Sequence, residues 1–389
     1  MAREYLRTHP WLTFGFRLEY DADAWLWALL GEAYSKCQHL IGAPLTPAAA
    51  DELSRVYLVK GAVATTAIEG NTLTEDEARA ILDGERRLPP SQRYLQQEIE
   101  NVVRALQFVE ETTRQGRSIT ASPEWIKEQN RLILDDLTVD DQVVPGGYTT
   151  TRIVAGNYRG APPADIAYLM DRLTRWLAEL TGTRDGEPAN LRFFNAFLAA
   201  VLAHLHIAWI HPFGDGNGRT ARLVECAFLA SSGLVPWVSA NLLSDHYNRT
   251  RTEYYRRLDR ASRAADVAGF VTYAAQGFVD LLREQIEAVQ RQQLAVSWVS
   301  YVHEQLATLP NTEATARQRK LLLSMPDAAI PVTALRRLTP ELAELYANKS
   351  DKTVSRDVNR LEALGLVHRD RHAVRPALDV MEAFIPGKP

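Results

Sequence analysis

The feature that most constrains the fold is an apolar run, Phe193–Ile210, that leads directly into a glycine-rich stretch, His211–Arg222. The run is long enough for about five turns of helix at 3.6 residues per turn. Because a residue before proline is pushed out of the α region, the helix should end near His211. Its side chain would then be free to face a cleft.

The glycine-rich stretch is expected to turn the chain and to start a second helix. Gly214, Gly216 and Gly218 permit positive φ, where other residues would be strained. A helix that begins near Asn217 or Gly218 would stop at Gly233, which has the position of a C-terminal cap. The pattern therefore predicts two helices that are joined by a tight, glycine-rich turn.

The residue types in this turn indicate phosphate binding. Backbone N–H groups at a helix N-terminus attract anions, and Arg219 and Arg222, three residues apart, share one helix face beside them. Asp215 is a suitable hard-oxygen ligand for Mg²⁺ bound to phosphates. His211 is a candidate general base at neutral pH. This combination predicts a nucleotide site, and the alternative is a solvated connection between two core helices.

The stretch resembles the motif of the Fic family, His-Pro-Phe-x-Asp-Gly-Asn-Gly-Arg-x-x-Arg, and every fixed position is present. The resemblance implies a mainly α fold: a Fic-type helical core with a short β-hairpin flap. It also implies a protein adenylyltransferase that transfers AMP from ATP to a Ser, Thr or Tyr hydroxyl of target proteins and of itself. Other activities with the same motif, such as UMP or phosphocholine transfer or removal of AMP, remain alternatives.

The resemblance also assigns roles to residues. His211 would be the catalytic base and Asp215 the Mg²⁺ ligand. The residues expected to bind ATP are Asp215, Gly216, Asn217, Gly218, Arg219, Thr220, Arg222 and Tyr254. Ser262 stands where relatives often have an asparagine that contacts adenosine. His204, on the same face of its helix as His211, is expected to be structural.

An inhibitory motif is expected at the end of the helix predicted over Pro47–Ile68. A carboxylate in the last helical turn, such as Glu69, is unfavourable by about 0.3–1 kcal/mol unless something compensates. Thr65, Glu69 and Gly70 match the family's Ser/Thr-x-x-x-Glu-Gly/Asn motif. The resemblance implies that Glu69 meets Arg222 and obstructs the γ-phosphate position. The alternative is a solvated surface glutamate.

A short β-hairpin is predicted where glycines and β-branched residues, from Val143 onward, lead to Gly156 and Asn157, and Pro162 and Pro163 close it. Its position resembles the family's flap, with Ile153, Val154, Ala155 and Gly156 docking the target. Docking of this kind uses backbone hydrogen bonds, so it needs little sequence identity. An ordinary surface hairpin is the alternative.

From residue 315 the composition changes: 13 lysines and arginines face 9 aspartates and glutamates, a net charge of +4, against −8 for the rest. Three helical segments and a hairpin predict a winged helix-turn-helix over residues 315–389. One polar helix face is suited to a major groove, and its residues are Lys352, Thr353, Arg356, Asn359 and Arg360. DNA or another protein is the expected partner. One alternative function is a DNA-binding regulator that senses nucleotide.

Length and composition predict several domains. The expected division is an N-terminal helical region at 1–110, a Fic core at 111–290, a helical linker at 291–314 and the winged helix. Two cysteines without a metal spacing and no apolar leader favour the cytoplasm. The apolar run predicts a buried helix rather than a membrane span, and the oligomeric state, a homo-oligomer included, is left open.

Overall fold

The computed structural model describes residues 3–16, 23–117, 119, 121–155, 158–182 and 186–381. The chain forms two compact units, Met1–Glu287 and Ala288–Pro389. The division lies inside one long helix, and the four-domain division expected from the sequence remains a proposal. Gly156, assigned to the flap, lies outside the described residues.

Unit 1 is almost entirely helical. Its helices are α1 (Tyr5–Thr8), α2 (Ala24–Ile41), α3 (Pro47–Ile68), α4 (Glu75–Leu82), α5 (Arg93–Arg114), α6 (Pro123–Ile133), α7 (Pro163–Thr181), α8 (Ala189–Ile210), α9 (Asn217–Ser231), α10 (Trp237–Ala240), α11 (Leu242–Arg249), α12 (Arg251–Arg263) and the first part of α13 (Val267–Ala307). A 3-10 turn at Pro90–Gln92 precedes α5. Strands β1 (Val154–Ala155) and β2 (Tyr158–Arg159) form the predicted hairpin.

Helix α8 lies at the centre of unit 1 and packs against α9, α7 and α2. Among the described residues it is the one helix long and apolar enough to cross a membrane, and 89% of its most apolar segment is buried inside the protein. It therefore belongs to the core, as its composition predicted.

Helix α3 has the predicted bounds because each end carries a local signal. Thr46 caps the first turn by accepting a hydrogen bond from the Ala49 amide, and proline occupies the first helical position. Gly70, just beyond the helix, has φ +107°, which ends it. Thr74 and Glu77 then form a reciprocal capping box that opens α4.

Unit 2 has its own apolar core. Its elements after α13 are α14 (Glu313–Leu323), β3 (Ile330–Pro331), a 3-10 helix (Val332–Arg337), α15 (Pro340–Leu345), α16 (Asp351–Ala363), β4 (Val367–Asp370), β5 (Ala373–Pro376) and a 3-10 turn (Leu378–Met381). The strands form an antiparallel sheet in the order β3-β5-β4. Helix α16 is the last helix before the hairpin of β4 and β5.

Candidate active site

His211 ends helix α8 in a left-handed conformation, with φ 53° and ψ 58°. A non-glycine residue in this region is uncommon and is held by its surroundings. The Ala161 amide donates to the carbonyl of Ile210 at 3.0 Å. Gly160 lies so close that a Cβ atom there would come within 2.9 Å of the His211 Cβ. The segment after the flap thus fixes the end of α8.

The turn between α8 and α9 needs only one of the three glycines for positive φ. Gly216 has φ 73°, but Gly214 and Gly218 do not have positive φ, so the expectation for those two was wrong. They are required for close packing instead. A Cβ on Gly214 would lie 2.8 Å from a methyl group of Val143, and one on Gly218 would overlap the Glu69 carboxylate.

Asn217 does not reach into the cleft, because its side chain holds the turn. Its Oδ1 accepts from the Phe213 amide at 2.9 Å, and its Nδ2 donates to the Phe213 carbonyl at 2.8 Å. Any contribution to anion binding therefore comes from the backbone amides at the start of α9 rather than from this side chain.

A buried amide that the sequence argument did not identify supports the same turn from α6. Asn130 donates to the Asp215 carbonyl at 3.0 Å and to the Thr220 hydroxyl at 3.2 Å, and it accepts from the Gly146 amide at 3.0 Å. Thr220, expected to bind ATP, is fully buried and serves this contact. The sequence contains one indication that Asn130 faces inward. Asn130 lies four residues after the apolar Ile126, so the two share one face of α6.

The imidazole of His211 is arranged to accept a proton. Its Nδ1 lies 3.3 Å from the Ala208 carbonyl. A carbonyl oxygen only accepts, so Nδ1 carries the hydrogen and Nε2 is left with a free lone pair. Burial lowers the pKa of His211, although Glu69 and Asp215 raise it in part. The neutral, basic form therefore dominates at pH 7.

Arg222 is fully buried and is held by residues at the end of α3. Its Nη2 lies 2.6 Å from Glu69 Oε1, and it also donates to Thr65: Nε to the hydroxyl at 2.7 Å and Nη2 to the carbonyl at 3.0 Å. The predicted Glu69–Arg222 contact is thus present. Thr65 contributes two further bonds that hold the guanidinium in place.

The Glu69 carboxylate also lies against the backbone of Gly218, in the first turn of α9. This is the position that favours anions, because free amides and the helix dipole converge there. Burial alone would raise the pKa of Glu69, but Arg222, Arg219 and His211 lower it overall. Glu69 is therefore ionised at neutral pH and occupies an anion site.

Arg219 does not join Arg222 at the cleft. Its Nη1 lies 2.6 Å from Glu98 Oε1 on α5, and its Nη2 lies 3.3 Å from Asp215 Oδ1. Glu98 also accepts from the Asn71 amide at 2.9 Å, so it connects Arg219 to the turn after Glu69. In the sequence, Glu98 lies one helical turn from the apolar residues of α5 that pack inward. This spacing is the feature from which Glu98 could have been identified as a partner of Arg219.

A cavity of about 660 Å³ adjoins these groups. Glu69, His211, Gly218 and Arg222 line one part of it. The rest of its lining consists of Tyr158, Ala208, Trp209, Tyr254, Tyr255, Leu258, Asp259 and Arg263. Ser262 is buried and donates to the Asp259 carbonyl at 2.9 Å. It is not among the residues that line the cavity.

Tyr254 connects the cavity to a buried polar network behind it. Its hydroxyl lies 2.9 Å from His204 Nε2. The other ring nitrogen of His204 lies 3.2 Å from Glu225, which also accepts from the Tyr247 hydroxyl at 2.9 Å. His204 is fully buried and lies in this network behind the cavity.

A divalent cation would fit beside Asp215. The side chain is about half exposed, and Oδ1 already meets the Gly216 amide at 2.5 Å and Arg219. No described residue donates to Oδ2. The described residues contain no cluster of three or more His, Cys, Asp or Glu side chains suited to a metal. A cation held by one carboxylate and by phosphate oxygens, as Mg²⁺ prefers, suits this arrangement.

The flap residues lie beside the motif turn. Tyr148 pairs with Phe213, and the Thr149 amide donates to the Pro212 carbonyl at 2.9 Å. In the hairpin itself, Val154 is 61% exposed, and the Gly160 amide donates to the Ile153 carbonyl at 3.0 Å. The segment before the hairpin thus pairs with the motif turn, and Gly160 just after the hairpin lies against His211.

In unit 2, the polar face of α16 has the predicted orientation. Lys352, Arg356, Asn359 and Arg360 are exposed and Thr353 is half-buried. The opposite face is apolar, and its residues Val354, Val358 and Leu361 are buried.

Comparison with known proteins agrees with this geometry. The chain is 28% identical over 263 residues to the protein adenylyltransferase Fic of Drosophila melanogaster, covering 67% of this chain and 47% of that protein. It is 30% identical over 212 residues to the protein adenylyltransferase fic-1 of Caenorhabditis elegans, covering 54% and 38%. The chain thus spans about half the length, or less, of these curated relatives.

Solved structures share the fold. A Fic family protein from Desulfovibrio desulfuricans G20 superposes with a TM-score of 0.56 at 21% identity, covering 93% of this chain and 97% of that one. A segment of Fic-1 from C. elegans gives 0.55 at 26% identity, covering 68% and 72%.

The helical fold of this chain is thus similar to that of Fic proteins. Residues 120–229 match the model of the Fic/DOC family.

Proposed function

We propose that the protein is an adenylyltransferase that transfers AMP from ATP to a Ser, Thr or Tyr hydroxyl of target proteins, and of itself. The observation that carries the proposal is the Glu69 carboxylate, which pairs with the buried Arg222 at the N-terminus of α9. An anion site of this kind, beside a neutral histidine, suits a phosphate group and a hydroxyl acceptor. The curated relatives are named protein adenylyltransferases, which supports the same activity.

The transfer forms a bond between the acceptor oxygen and the α-phosphorus and breaks the bond to the leaving pyrophosphate. The acceptor's proton goes to Nε2 of His211, which is free because Nδ1 donates to Ala208. Amides in the first turn of α9 stabilise charge on the phosphate oxygens. A bound Mg²⁺ would supply charge neutralisation on the phosphates, with Asp215 as its protein ligand.

Tyr254 and the apolar part of the cavity would receive the adenosine. Its ring lines the cavity, while its hydroxyl is already bonded to His204. The contact with the base is therefore through the ring face rather than through the hydroxyl. The Arg219 guanidinium forms ion pairs with Glu98 and Asp215. Arg222 is therefore the arginine that binds the terminal phosphates.

Glu69 then acts as an inhibitor built into the chain. It pairs with the Arg222 guanidinium and lies at the N-terminus of α9, and a γ-phosphate would need both. ATP therefore binds productively only when Glu69 moves away. Two free cysteines, both buried, suit a reducing compartment such as the cytoplasm.

The test is labelling with α-³²P-ATP and magnesium of the wild type, Glu69→Gly and Glu69→Gly/His211→Ala. We expect label to rise with the first change and to disappear with the second. Parallel reactions with α-³²P-UTP distinguish transfer of UMP. A folded Glu69→Gly protein that binds ATP and gives no label would contradict adenylyl transfer.

A second function is favoured by the charge on α16. Lys352, Arg356 and Arg360 recur every four residues and form one exposed stripe, and no carboxylate of the described residues pairs with them. Asn359 lies on the same face, and its Oδ1 accepts from Arg369 of β4 at 2.6 Å, which leaves its amide hydrogens for a base edge. We infer that this face binds duplex DNA.

The full chain is titrated against a fluorescent DNA duplex at several salt concentrations. The charge-reversed variant Lys352→Glu/Arg356→Glu/Arg360→Glu should lose binding, and the slope of log affinity against log salt should fall by about one unit for each phosphate that is no longer neutralised. A variant with three reversals in unit 1, at Arg114, Arg175 and Arg256, has the same net charge and should still bind. Equal loss of binding by both variants would mean that DNA binding depends on the net charge of the protein and not on this face of α16. No binding by the wild type at low salt would exclude this function.

A further inference from the structure

Helix α9 carries a buried carboxylate, Glu225, that the proposed transfer does not use. Glu225 is 1% exposed, and it lies about one helical turn after Arg222 on the same face of α9. Its Oε1 accepts from the Tyr247 hydroxyl at 2.9 Å and lies 3.2 Å from Nδ1 of His204. Because a carboxylate taken out of water is costly without partners, these two contacts determine which way Glu225 faces.

His204 extends this interaction from Glu225 toward the cavity. The imidazole is fully buried, and no described residue offers its Nδ1 a better-aligned partner than Glu225. A carboxylate oxygen only accepts, so Nδ1 carries the hydrogen of the neutral ring and Nε2 is left as an acceptor. The Tyr254 hydroxyl lies 2.9 Å from Nε2 and therefore donates to it.

The hydroxyl of Tyr254 has lone pairs left for Arg222. Both side chains line the cavity. Burial alone would lower the pKa of Arg222, but Glu69 and a hydrogen bond with the Tyr254 hydroxyl raise it overall. A guanidinium N–H only donates, so this contact requires the hydrogen of the hydroxyl to point elsewhere. It points to His204, because Nε2 of that ring is the acceptor.

We propose that Glu225 is a positioning residue for the terminal phosphates of ATP, which acts through a relay of Glu225, His204 and Tyr254 to hold the Arg222 guanidinium. The relay belongs to α8, α9 and α12, whereas Glu69 follows α3, so the relay stays in place when Glu69 leaves the site. Neither Glu225 nor His204 lines the cavity, so both act on the nucleotide only through Tyr254 and Arg222. This inference rests on the proposed function, which assigns Arg222 to the terminal phosphates.

The ring and the hydroxyl of Tyr254 have separate tasks in this arrangement. The ring is available to the base, and the hydroxyl acts on Arg222. The ring also stacks on that of Tyr247, with centroids 4.7 Å apart and an interplanar angle of 24°, so it keeps its place without the hydroxyl. Loss of the hydroxyl alone should therefore weaken the binding of ATP and spare that of AMP, which has no terminal phosphates.

The test compares the Kd values of ATP and AMP, with magnesium, in the Glu69→Gly/His211→Ala protein, which does not turn over. Tyr254→Phe in this parent removes the hydroxyl and keeps the ring. It should lower the preference for ATP over AMP by about tenfold, as expected for the loss of one hydrogen bond to a charged group. The Kd of AMP should stay unchanged.

Two variants of Glu225 separate its acceptor oxygen from its bulk. Glu225→Leu removes the acceptor and should lower the preference for ATP over AMP in the same way as Tyr254→Phe. Glu225→Gln keeps a carbonyl oxygen that accepts from Nδ1 and should retain the preference. If Glu225→Leu does not fold, Tyr254→Phe decides alone.

Tyr247→Phe is the matched control. It removes a hydroxyl that donates to the same Glu225 oxygen, so it disturbs the same buried network, but Tyr247 is not part of the relay. It should lower the free energy of unfolding and leave the preference for ATP over AMP unchanged. The ¹⁵N chemical shifts of the His204 ring give an independent readout, and in the parent they should show a hydrogen on Nδ1 and none on Nε2.

Equal loss of ATP and AMP affinity in Tyr254→Phe, an unchanged preference in that variant, or the same loss of preference in Tyr247→Phe would overturn the relay. A hydrogen on Nε2 of His204 in the parent would do so too, because Tyr254 could not then donate to it. A Glu69→Gly protein that binds ATP and transfers no label would contradict adenylyl transfer alone. The Kd values of ATP and AMP then still decide whether the relay holds Arg222.

Discussion

Replacing Glu69 with glycine removes one charged hydrogen bond and leaves the rest of the Arg222 environment in place. The guanidinium keeps its two bonds to Thr65. The backbone at Glu69, with φ −88° and ψ 0°, is accessible to any residue. The variant therefore removes the carboxylate that would compete for the anion site, and it disturbs the site itself little.

The size of the effect follows from the hydrogen bond that is removed. A hydrogen bond to a charged group contributes about 1.5–3 kcal/mol, and Glu69 makes one such bond to Arg222, at 2.6 Å. ATP no longer has to displace it in the variant. Since about 1.4 kcal/mol is a factor of ten, we expect AMP transfer to rise by about ten- to 150-fold.

The assay is the initial rate of AMP transfer at subsaturating ATP, with thermal unfolding of the same proteins. Glu69→Gln, which keeps the size and loses the charge, should give an intermediate rate. Without ATP the variant should unfold at a lower temperature, because a buried arginine has lost its counter-charge. ATP with magnesium should then stabilise it more than the wild type. A folded variant with neither a higher rate nor a larger ATP-induced shift would refute the competition argument.

Three other predictions concern a pKa, a buried amide and the thiols. Burial lowers the pKa of His211 from its ordinary value of 6.5, so the acid limb of kcat/KM should lie below pH 6.5. Because the Glu69 charge raises that pKa, the limb should move to still lower pH in Glu69→Gly; a shift upward would contradict the placement. Asn130→Ala should lower the free energy of unfolding in urea by about 1–3 kcal/mol, because it leaves buried groups unpaired, and it should slow transfer. Cys37 and Cys226 are buried, and burial raises the pKa of the Cys37 thiol to about 12, so neither should react with a thiol reagent until the protein unfolds.

The sequence predicted the parts of the site that depend on local signals. The proline after His211 placed the end of α8, the capping box at Thr74 placed α4, and the apolar run of α8 placed the core. The Glu69–Arg222 contact was predicted from a family motif, and the structure contains it. In each case a short segment carries its own conformational preference or its own motif.

The parts that could not be predicted depend on pairs distant in sequence. Arg219 was expected to bind phosphate because it lies three residues from Arg222, but its partner Glu98 is 121 residues away. Gly214 and Gly218 were interpreted through φ, whereas packing against Val143 and Glu69 decides them. Helical spacing shows which residues share a face and cannot show what that face meets.

The long-range contacts also determine how Glu69 is held. Glu69 ends α3, and the turn after it is fixed by Asn71, whose side-chain amide donates to the Leu95 carbonyl and to Glu98, both at 2.9 Å. Glu98 in turn holds Arg219, 2.6 Å away. If the Glu69 side chain rotates out of the site, the buried Arg222 guanidinium loses its counter-charge. That loss is costly unless another anion takes the place of Glu69. In the proposed mechanism Glu69 and a phosphate compete for the charge of Arg222, so a substitution that weakens Arg222 as an anion partner should weaken the binding of both.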